Sequence, residues 1–252
     1  FLSDIYRRAF GYKGTIWKIG NAKDDPLVSV QERKKNSVHE WFGIDLNTKI
    51  IVYAPTYRGV FEDNGIIDMT PYNLDYSKVI SAFKKYWKCE NCVIIVRWHP
   101  SMANHMKYLD DVEGIVIDGT SYPEMQEIII ASDAFISDYS SCIFEAALKR
   151  IPCHLYTNDF DEYIGDRGAY FSLDNLPFDY AVDNEKLIDN IISFDDIKFN
   201  GRWEKFEKKM GLSESGVAAL NIAKMIVDFC YENGEILKHI KSTKDSVVNF
   251  FE

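Results

Sequence analysis

Short apolar runs rich in β-branched and aromatic residues fall at residues 50–54, 93–97, 115–117, 134–137 and 153–156. Helix-length amphipathic segments lie before, between and after them, at 30–42, 76–87, 102–109, 123–131 and 141–149. Strand-length and helix-length segments in alternation predict a parallel sheet wrapped by helices, an α/β doubly wound fold. The segment at 123–131 has Thr120 and Ser121 before it as cap candidates and Pro123 in its first turn, a good start signal. Beyond Tyr156 the chain reads as a loop rich in acidic and aromatic residues over 158–180, then as helix from 184 to 231. The stretch 235–252 carries Ile236, Leu237, Ile240, Val247, Val248, Phe250 and Phe251 among charges. It suits packing on a partner domain better than lying on a membrane, because the chain as a whole is acidic.

In open α/β sheets ligands bind beyond the carboxyl ends of the strands, and those positions are polar here. The first run leads into Pro55-Thr56-Tyr57-Arg58-Gly59, the second into Arg97-Trp98-His99-Pro100, the third into Asp118-Gly119-Thr120 and the fourth into Asp138-Tyr139-Ser140-Ser141. A strand followed at once by Ser-Ser and a helix offers hydroxyls and unpaired amides where a phosphate would sit. The plain structural alternative is that one serine caps the helix. Ser141, Glu145 and Lys149 share a helical face, with Ile143, Phe144, Ala147 and Leu148 on the buried side. Glu145 is therefore placed to accept hydrogen bonds from ribose hydroxyls, or else to form a surface pair with Lys149. Alternation along Val96-Arg97-Trp98-His99 sends Arg97 and His99 to the same side, one suited to phosphate and the other to acid, base or charge-stabilising work.

Composition narrows the partners. A net charge of −10 argues against broad binding to nucleic acid or anionic lipid, so an anionic ligand must meet a local basic site. The five cysteines, an odd set without secretory features, suit reduced thiols in a cytoplasmic protein. Cys89 and Cys92 have C-x-x-C spacing, but no second pair completes a zinc site and no redox helix follows. No apolar stretch reaches membrane-spanning length and no signal peptide is visible. The chain starts at Phe1 instead of Met, which fits a piece of a longer protein.

Tyr53-Ala54-Pro55-Thr56-Tyr57-Arg58, the Arg97-x-His99-Pro100 turn, and Ser137-Asp138-Tyr139-Ser140-Ser141 followed by Phe144-Glu145 and Lys149-Arg150-x-Pro152 resemble, in order and spacing, the CDP-glycerol glycerophosphotransferase family of teichoic-acid and capsule enzymes. The resemblance runs over residues 16–227. It implies a GT-B-type transferase of which this chain is the C-terminal, Rossmann-like half. On that reading 1–48 is an N-terminal segment with the first helix, 49–183 the nucleotide-binding core, and 184–252 helices packing back toward an N-terminal acceptor domain.

The implied reaction is attack by a polymer hydroxyl, on a lipid or glycan carrier, at the phosphorus bearing glycerol of a CDP-alditol donor. CMP leaves and a phosphodiester forms, with charge neutralisation at the leaving group as the main demand. His99 matches the family's functional histidine. Arg97, Ser140, Ser141, Asp138, Arg58 and Thr120 are the implied donor- and phosphate-binding set, with Asp138 also supporting the adjoining turn, and Glu145 is the ribose ligand. No cofactor or metal is required, although a divalent ion would be compatible with the pyrophosphate. The implied location is cytoplasmic, at the inner face of a bacterial membrane.

Two departures stand out. The family's second histidine, in a Trp-His-Gly-Thr motif of the N-terminal domain, has no counterpart, since Trp98-His99 is the only Trp-His pair. The family's Gly-Tyr-Pro-Arg-Asn-Asp segment is replaced by Gly20-Asn21-Ala22-Lys23-Asp24-Asp25, and lysine lacks the bidentate fork of arginine. A nucleotide-sugar glycosyltransferase or epimerase would use a similar fold and phosphate site, and a non-catalytic nucleotide-binding or scaffold module stays open as well.

Overall fold

The computed structural model describes residues 1–29, 32–58, 69–100, 102 and 115–232, with side chains of the helix Glu32–Phe42 described from 36 onward. The expected helix at 102–109, except Met102, and the stretch 235–252 lie outside the described residues. The chain divides into two compact units, one of Val30–Met210 and one of Phe1–Ser29 with the residues from Gly211 on.

The larger unit contains six parallel strands: β1 (Lys49–Ala54), β2 (Cys92–Val96), β3 (Val116–Asp118), β4 (Ala134–Ser137), β5 (Cys153–Tyr156) and β6 (Asp179–Ala181), in the spatial order β3-β2-β1-β4-β5-β6. Strands β1 to β5 fall where the apolar runs predicted them. β1 (KIIVYA) is buried along almost its whole length, as a parallel strand covered on both faces must be. Ile51, Tyr53, Ile94, Val96 and Ile136 join one core cluster with Val79, Ile80, Phe83, Leu187 and Ile191. These come from α4 (Tyr76–Trp87) and α8 (Asn184–Ile192), which pack against each other. Side chains alternate along a strand, so the equally buried Ile50, Val52, Ile95, Phe135 and Leu155 face the other way. There α3 (Glu32–Phe42), α5 (Met125–Ala131) and α6 (Cys142–Leu148) pack.

Several boundaries differ from expectation for identifiable reasons. α5 begins at Met125, two residues past Pro123. Thr120 and Ser121 do not cap it, because they lie within the turn that Tyr122 closes onto Gly119, and the cap position falls on Glu124, which makes no side-chain cap. The region expected to be loop-like holds α7 (Phe160–Arg167) and the edge strand β6. α7 buries no residue, so no apolar stripe could announce it. The sheet unit also runs past the expected break at 183, since α8 packs on β6, and α9 (Asp196–Met210) inserts Phe199, Trp203 and Phe206 into the protein interior. Phe206 stacks on Phe144 at 5.5 Å and 14°. Phe144 and Leu148 are only half-buried, and Ala146 takes the fully buried place on α6.

In the smaller unit α1 (Leu2–Ala9) buries no residue. Asp25, which opens the single-turn helix Asp25–Val28 (α2), reaches α10 (Ala218–Glu232), where its carboxylate accepts hydrogen bonds from the Ala218 and Ala219 amides, both at 2.8 Å. A carboxylate there satisfies orphan amides at the positive end of the helix. Glu214 receives the Asn21 amide at 2.8 Å beside Gly20, whose φ of +88° favours glycine. The Gly20–Asp25 segment therefore works as a helix cap within this unit.

Candidate functional site

The strand order reverses direction between β1 and β4, since the chain runs outward through β2 and β3 and then returns to the other side of β1. That is the switch point at which doubly wound sheets bind ligands. Neighbouring strands lie about 4.8 Å apart, so the ends of β2 and β4, flanking β1, are on the order of 10 Å apart.

Asp138 joins the two sides of this point. Its carboxylate accepts from the Thr56 amide at 2.9 and 3.0 Å, the Thr56 hydroxyl at 2.6 Å and the Tyr139 amide at 2.5 Å. It also pairs with Arg58 Nη2 at 2.8 Å. Arg58 donates further, from Nε to Asp159 at 2.6 Å, from Nη2 to Asp159 at 3.2 Å and from Nη1 to the Thr56 carbonyl at 2.6 Å. The rings of Tyr72, Tyr139 and Tyr163 surround its guanidinium, with centroids 5.5, 4.9 and 5.1 Å away. Burial opposes the charge on Arg58, but the hydrogen bond to Asp159 and the two carboxylate charges outweigh it and raise its pKa above the ordinary arginine value. The Tyr139 hydroxyl, raised by burial and by its hydrogen bond to Asp159 at 2.9 Å, stays a neutral donor.

Arg58 and Asp138, expected beside the donor phosphates, thus spend their polar atoms on each other and on the protein. In the folded chain they act as a clamp that locks the β1 end to the β4 end and to Asp159 at the start of α7. Asp159, Tyr72 and Tyr163 did not figure among the expected site residues. The strand-end rule applied to the fifth run, which leads into Thr157-Asn158-Asp159, would have pointed to Asp159.

At the β2 end Trp98 is buried and Arg97 half-buried, while His99 is exposed. Arg97 Nη1 donates to the carbonyls of Gly119 at 2.7 Å and Thr120 at 2.5 Å, which fixes its guanidinium over the β3 end. The close approach of the chain requires glycine at 119, where a Cβ would collide with Ile95 Cγ2. Burial lowers the Arg97 pKa, opposed by Asp118 and Glu124. The His99 ring stacks on Tyr57 with centroids 5.6 Å apart and planes at 17°. The buried Thr120 hydroxyl meets no hydrogen-bond partner among the described residues.

At the β4 end Ser141 occupies the cap position of α6 with helical φ and ψ and makes no side-chain cap. Ser140 Oγ instead accepts the Cys142 amide in a long bond of 3.4 Å. Burial pushes the Cys142 thiol up to about 11, which keeps it protonated and unsuited to nucleophilic work. Glu145 receives Gln126 Nε2 at 3.1 Å. Lys149 Nζ donates to the carbonyls of Ile129, Ile130 and Ser132 at 2.8, 2.6 and 2.7 Å, closing the C-terminus of α5. Among the described residues, no group of three or more His, Cys, Asp or Glu could hold a metal ion, and no helix is long and apolar enough to cross a membrane.

The model of the CDP-glycerol:poly(glycerophosphate) glycerophosphotransferase family matches residues 1–228. The chain belongs to this family. It is 30% identical over 217 residues to the teichoic acid glycerol-phosphate primase of Bacillus subtilis, covering 81% of this chain and 51% of that one. It is 27% identical over 169 residues to the teichoic acid ribitol-phosphate polymerase TarL of Staphylococcus aureus, covering 66% of this chain and 29% of TarL. Solved structures of the wall teichoic acid polymerase TagF, including one obtained after a CDPG soak, superpose with a TM-score of 0.73 at 24% identity, over 92% of this chain and 57% of that chain. The match establishes a Rossmann-like α/β fold of the GT-B type, as the sequence implied. The chain spans roughly half or less of the curated glycerophosphotransferase relatives above.

The glycerophosphotransferase blocks of the sequence converge on one edge of the sheet. Arg97 and His99 leave β2, Thr56 to Arg58 leave β1, and Asp138 to Ser141 leave β4, three adjacent strands.

Proposed function

We propose that this chain supplies the donor-binding half of a transferase that moves glycerol phosphate, or a related alditol phosphate, from a CDP-activated donor to a hydroxyl of a growing teichoic-acid or capsule polymer, with release of CMP. The observation that carries the reading is the family match over residues 1–228, joined to a switch point at which that family's sequence blocks meet. In this reading the donor diphosphate lies between the β2 and β4 ends. Arg97, held by two carbonyls, supplies positive charge to it. Ser140 and Ser141 supply hydroxyls, and Thr120 a further hydroxyl near the phosphates or the glycerol. Glu145 receives the ribose hydroxyls.

His99, exposed at the crevice rim, is the residue that stabilises or protonates the departing CMP phosphate. Arg58 and Asp138 act on the donor indirectly, by keeping the two loops in register. The donor is the substrate and no resident cofactor is invoked. The acceptor hydroxyl, its activating base and the polymer carrier belong with an N-terminal acceptor domain, working at the cytoplasmic face of a bacterial membrane.

The test is calorimetric titration of the chain with CDP-glycerol, CDP and a UDP-sugar, in wild type and in the Ser140→Ala/Ser141→Ala double variant. Binding of the cytidine ligands that disappears in the double variant supports the reading. Preference for the UDP-sugar would replace it with a glycosyltransferase, and failure of all three to bind wild type would leave either a donor site that is incomplete in this chain or a scaffold.

A further inference from the structure

Thr56 and Arg58 are each fixed to the β4 end: Thr56 by its amide and hydroxyl on Asp138, Arg58 by its ion pair with the same carboxylate and by Asp159. The backbone on both sides of Tyr57 is therefore immobilised. The Arg58 amide donates to the Tyr72 hydroxyl at 3.0 Å and Arg167 donates to the Arg58 carbonyl at 3.1 Å, which pins the segment from two further directions. Tyr57 itself is half-buried and packs against the core cluster that contains Trp98, Tyr53 and Tyr72. On this platform lies the exposed His99 ring, nearly parallel to it at 17°.

A histidine on an extended strand end has two side-chain torsions, and an exposed one samples several rotamers. A stacked aromatic face narrows that choice, favouring one ring plane by dispersion and by its π-system. The His99 backbone is fixed as well, since its carbonyl accepts the Met102 amide at 2.8 Å.

We infer that Tyr57 is a positioning residue for the transfer reaction, acting through His99, and that the Arg58–Asp138 clamp is what holds Tyr57 in place. The inference rests on the proposed role of His99. The part of Tyr57 that meets His99 is its ring face. The clamp also links the two halves of the crevice, because the Asp138 that anchors Tyr57 from one side closely precedes Ser140 and Ser141 on the other. The orientation of the His99 ring and the placement of the two serines are thereby set by one carboxylate.

The experiment compares wild type, Tyr57→Phe, Tyr57→Leu and His99→Ala in the full chain. Proton–nitrogen NMR of the imidazole groups identifies the His99 resonances as those missing in His99→Ala. Their ring-current displacement persists in Tyr57→Phe and collapses in Tyr57→Leu. Turnover of CDP-glycerol to CMP, measured with the acceptor domain and acceptor present, falls about 10- to 100-fold in Tyr57→Leu, the scale expected for a misplaced catalytic group. The donor KM stays within about twofold, because a positioning loss of this kind lies in kcat, and Tyr57→Phe restores most of the turnover.

Unchanged His99 resonances in Tyr57→Leu would overturn the inference, as would a loss confined to KM or turnover equal to wild type despite displaced resonances. If His99→Ala turns over like wild type, or wild type does not turn over CDP-glycerol at all, the catalytic role fails together with the inference. The NMR comparison still separates that result from an error in the stacking geometry.

Discussion

Arg58 and Asp138 form an ion pair of 2.8 Å in which the two side chains are only 5% and 2% exposed. Asp159, 11% exposed, contacts the same guanidinium at 2.6 Å. One cation thus compensates two carboxylates in a nearly dry setting, which makes the cluster sensitive to loss of any member.

Removing the cation is the severe case. Arg58→Ala leaves both carboxylates buried without their counter-charge and lowers unfolding stability by about 3–5 kcal/mol. Urea denaturation of wild type and variant measures the difference. Arg58→Lys keeps the charge but not the fork that spans Asp138, Asp159 and the Thr56 carbonyl, so it recovers only part of the loss. Full recovery would show that charge alone, without the planar geometry, holds the clamp.

Arg97 differs because its guanidinium is held by two carbonyls, and no carboxylate forms an ion pair with it among the described residues. Arg97→Ala weakens binding of CDP-glycerol by about 1.5–3 kcal/mol, the range of a charge-assisted hydrogen bond. Calorimetric titration reads this directly, and unchanged affinity would remove Arg97 from the donor site.

On the proposed role of His99, His99→Ala lowers turnover with the acceptor domain present more than it lowers donor affinity, because a group that acts on a leaving phosphate is needed mainly in the transition state. Steady-state kinetics separates the two. Equal losses in kcat and in donor binding would assign His99 to ground-state positioning.

His154 gives a pH prediction away from the crevice. It is fully buried on β5 with Phe83 and Phe194 at 5.9 and 5.2 Å, and neither ring nitrogen meets a hydrogen-bond partner among the described residues. Burial lowers its pKa to about 4, with Asp179 working in the opposite direction and Arg202 adding to the depression. The unfolded chain, with an ordinary histidine value near 6.5, therefore binds more protons than the folded chain between about 4 and 6.5. Folded stability attributable to His154 is fully present above that window and is lost as pH falls through it. The loss totals about 3 kcal/mol at about 1.4 kcal/mol per pKa unit. His154→Phe, which suits the aromatic surroundings, removes this part of the acid slope and is neutral or stabilising at pH 7. Denaturation curves at pH 7 and pH 4.5 check both points, and an unchanged acid slope in the variant would show that carboxylates alone govern it.

The site was legible to the degree that its parts are local. Arg97, His99, Ser140 and Ser141 follow strands whose apolar runs are visible in the chain, and Trp98 divides Arg97 from His99 by simple alternation. The parts that depend on distant partners were not legible. Nothing near Arg58 in sequence shows that Asp138 and Asp159, 80 and 101 positions later, absorb its guanidinium. Glu145 looked equally able to pair with Lys149, yet Gln126 reaches it from α5, and Lys149 turns to the carbonyls that end that helix.

By itself the sequence determined the α/β class, the places of β1 to β5 and the set of loops that meet at one edge. Those features follow from periodicity and burial, which each segment carries within itself. The tertiary structure alone decided β6, α7, the clamp around Arg58 and the stack of His99 on Tyr57. β6 is three residues long at a sheet edge and α7 buries nothing, so neither has an internal hydrophobic pattern. Both exist because of what they meet: β5 supplies the ladder for β6, and Arg58 supplies the charge around which Asp159 and Tyr163 gather. Contacts of that kind are properties of the folded chain, set when the strands close into one sheet and bring remote carboxylates, rings and guanidinium groups within hydrogen-bond reach.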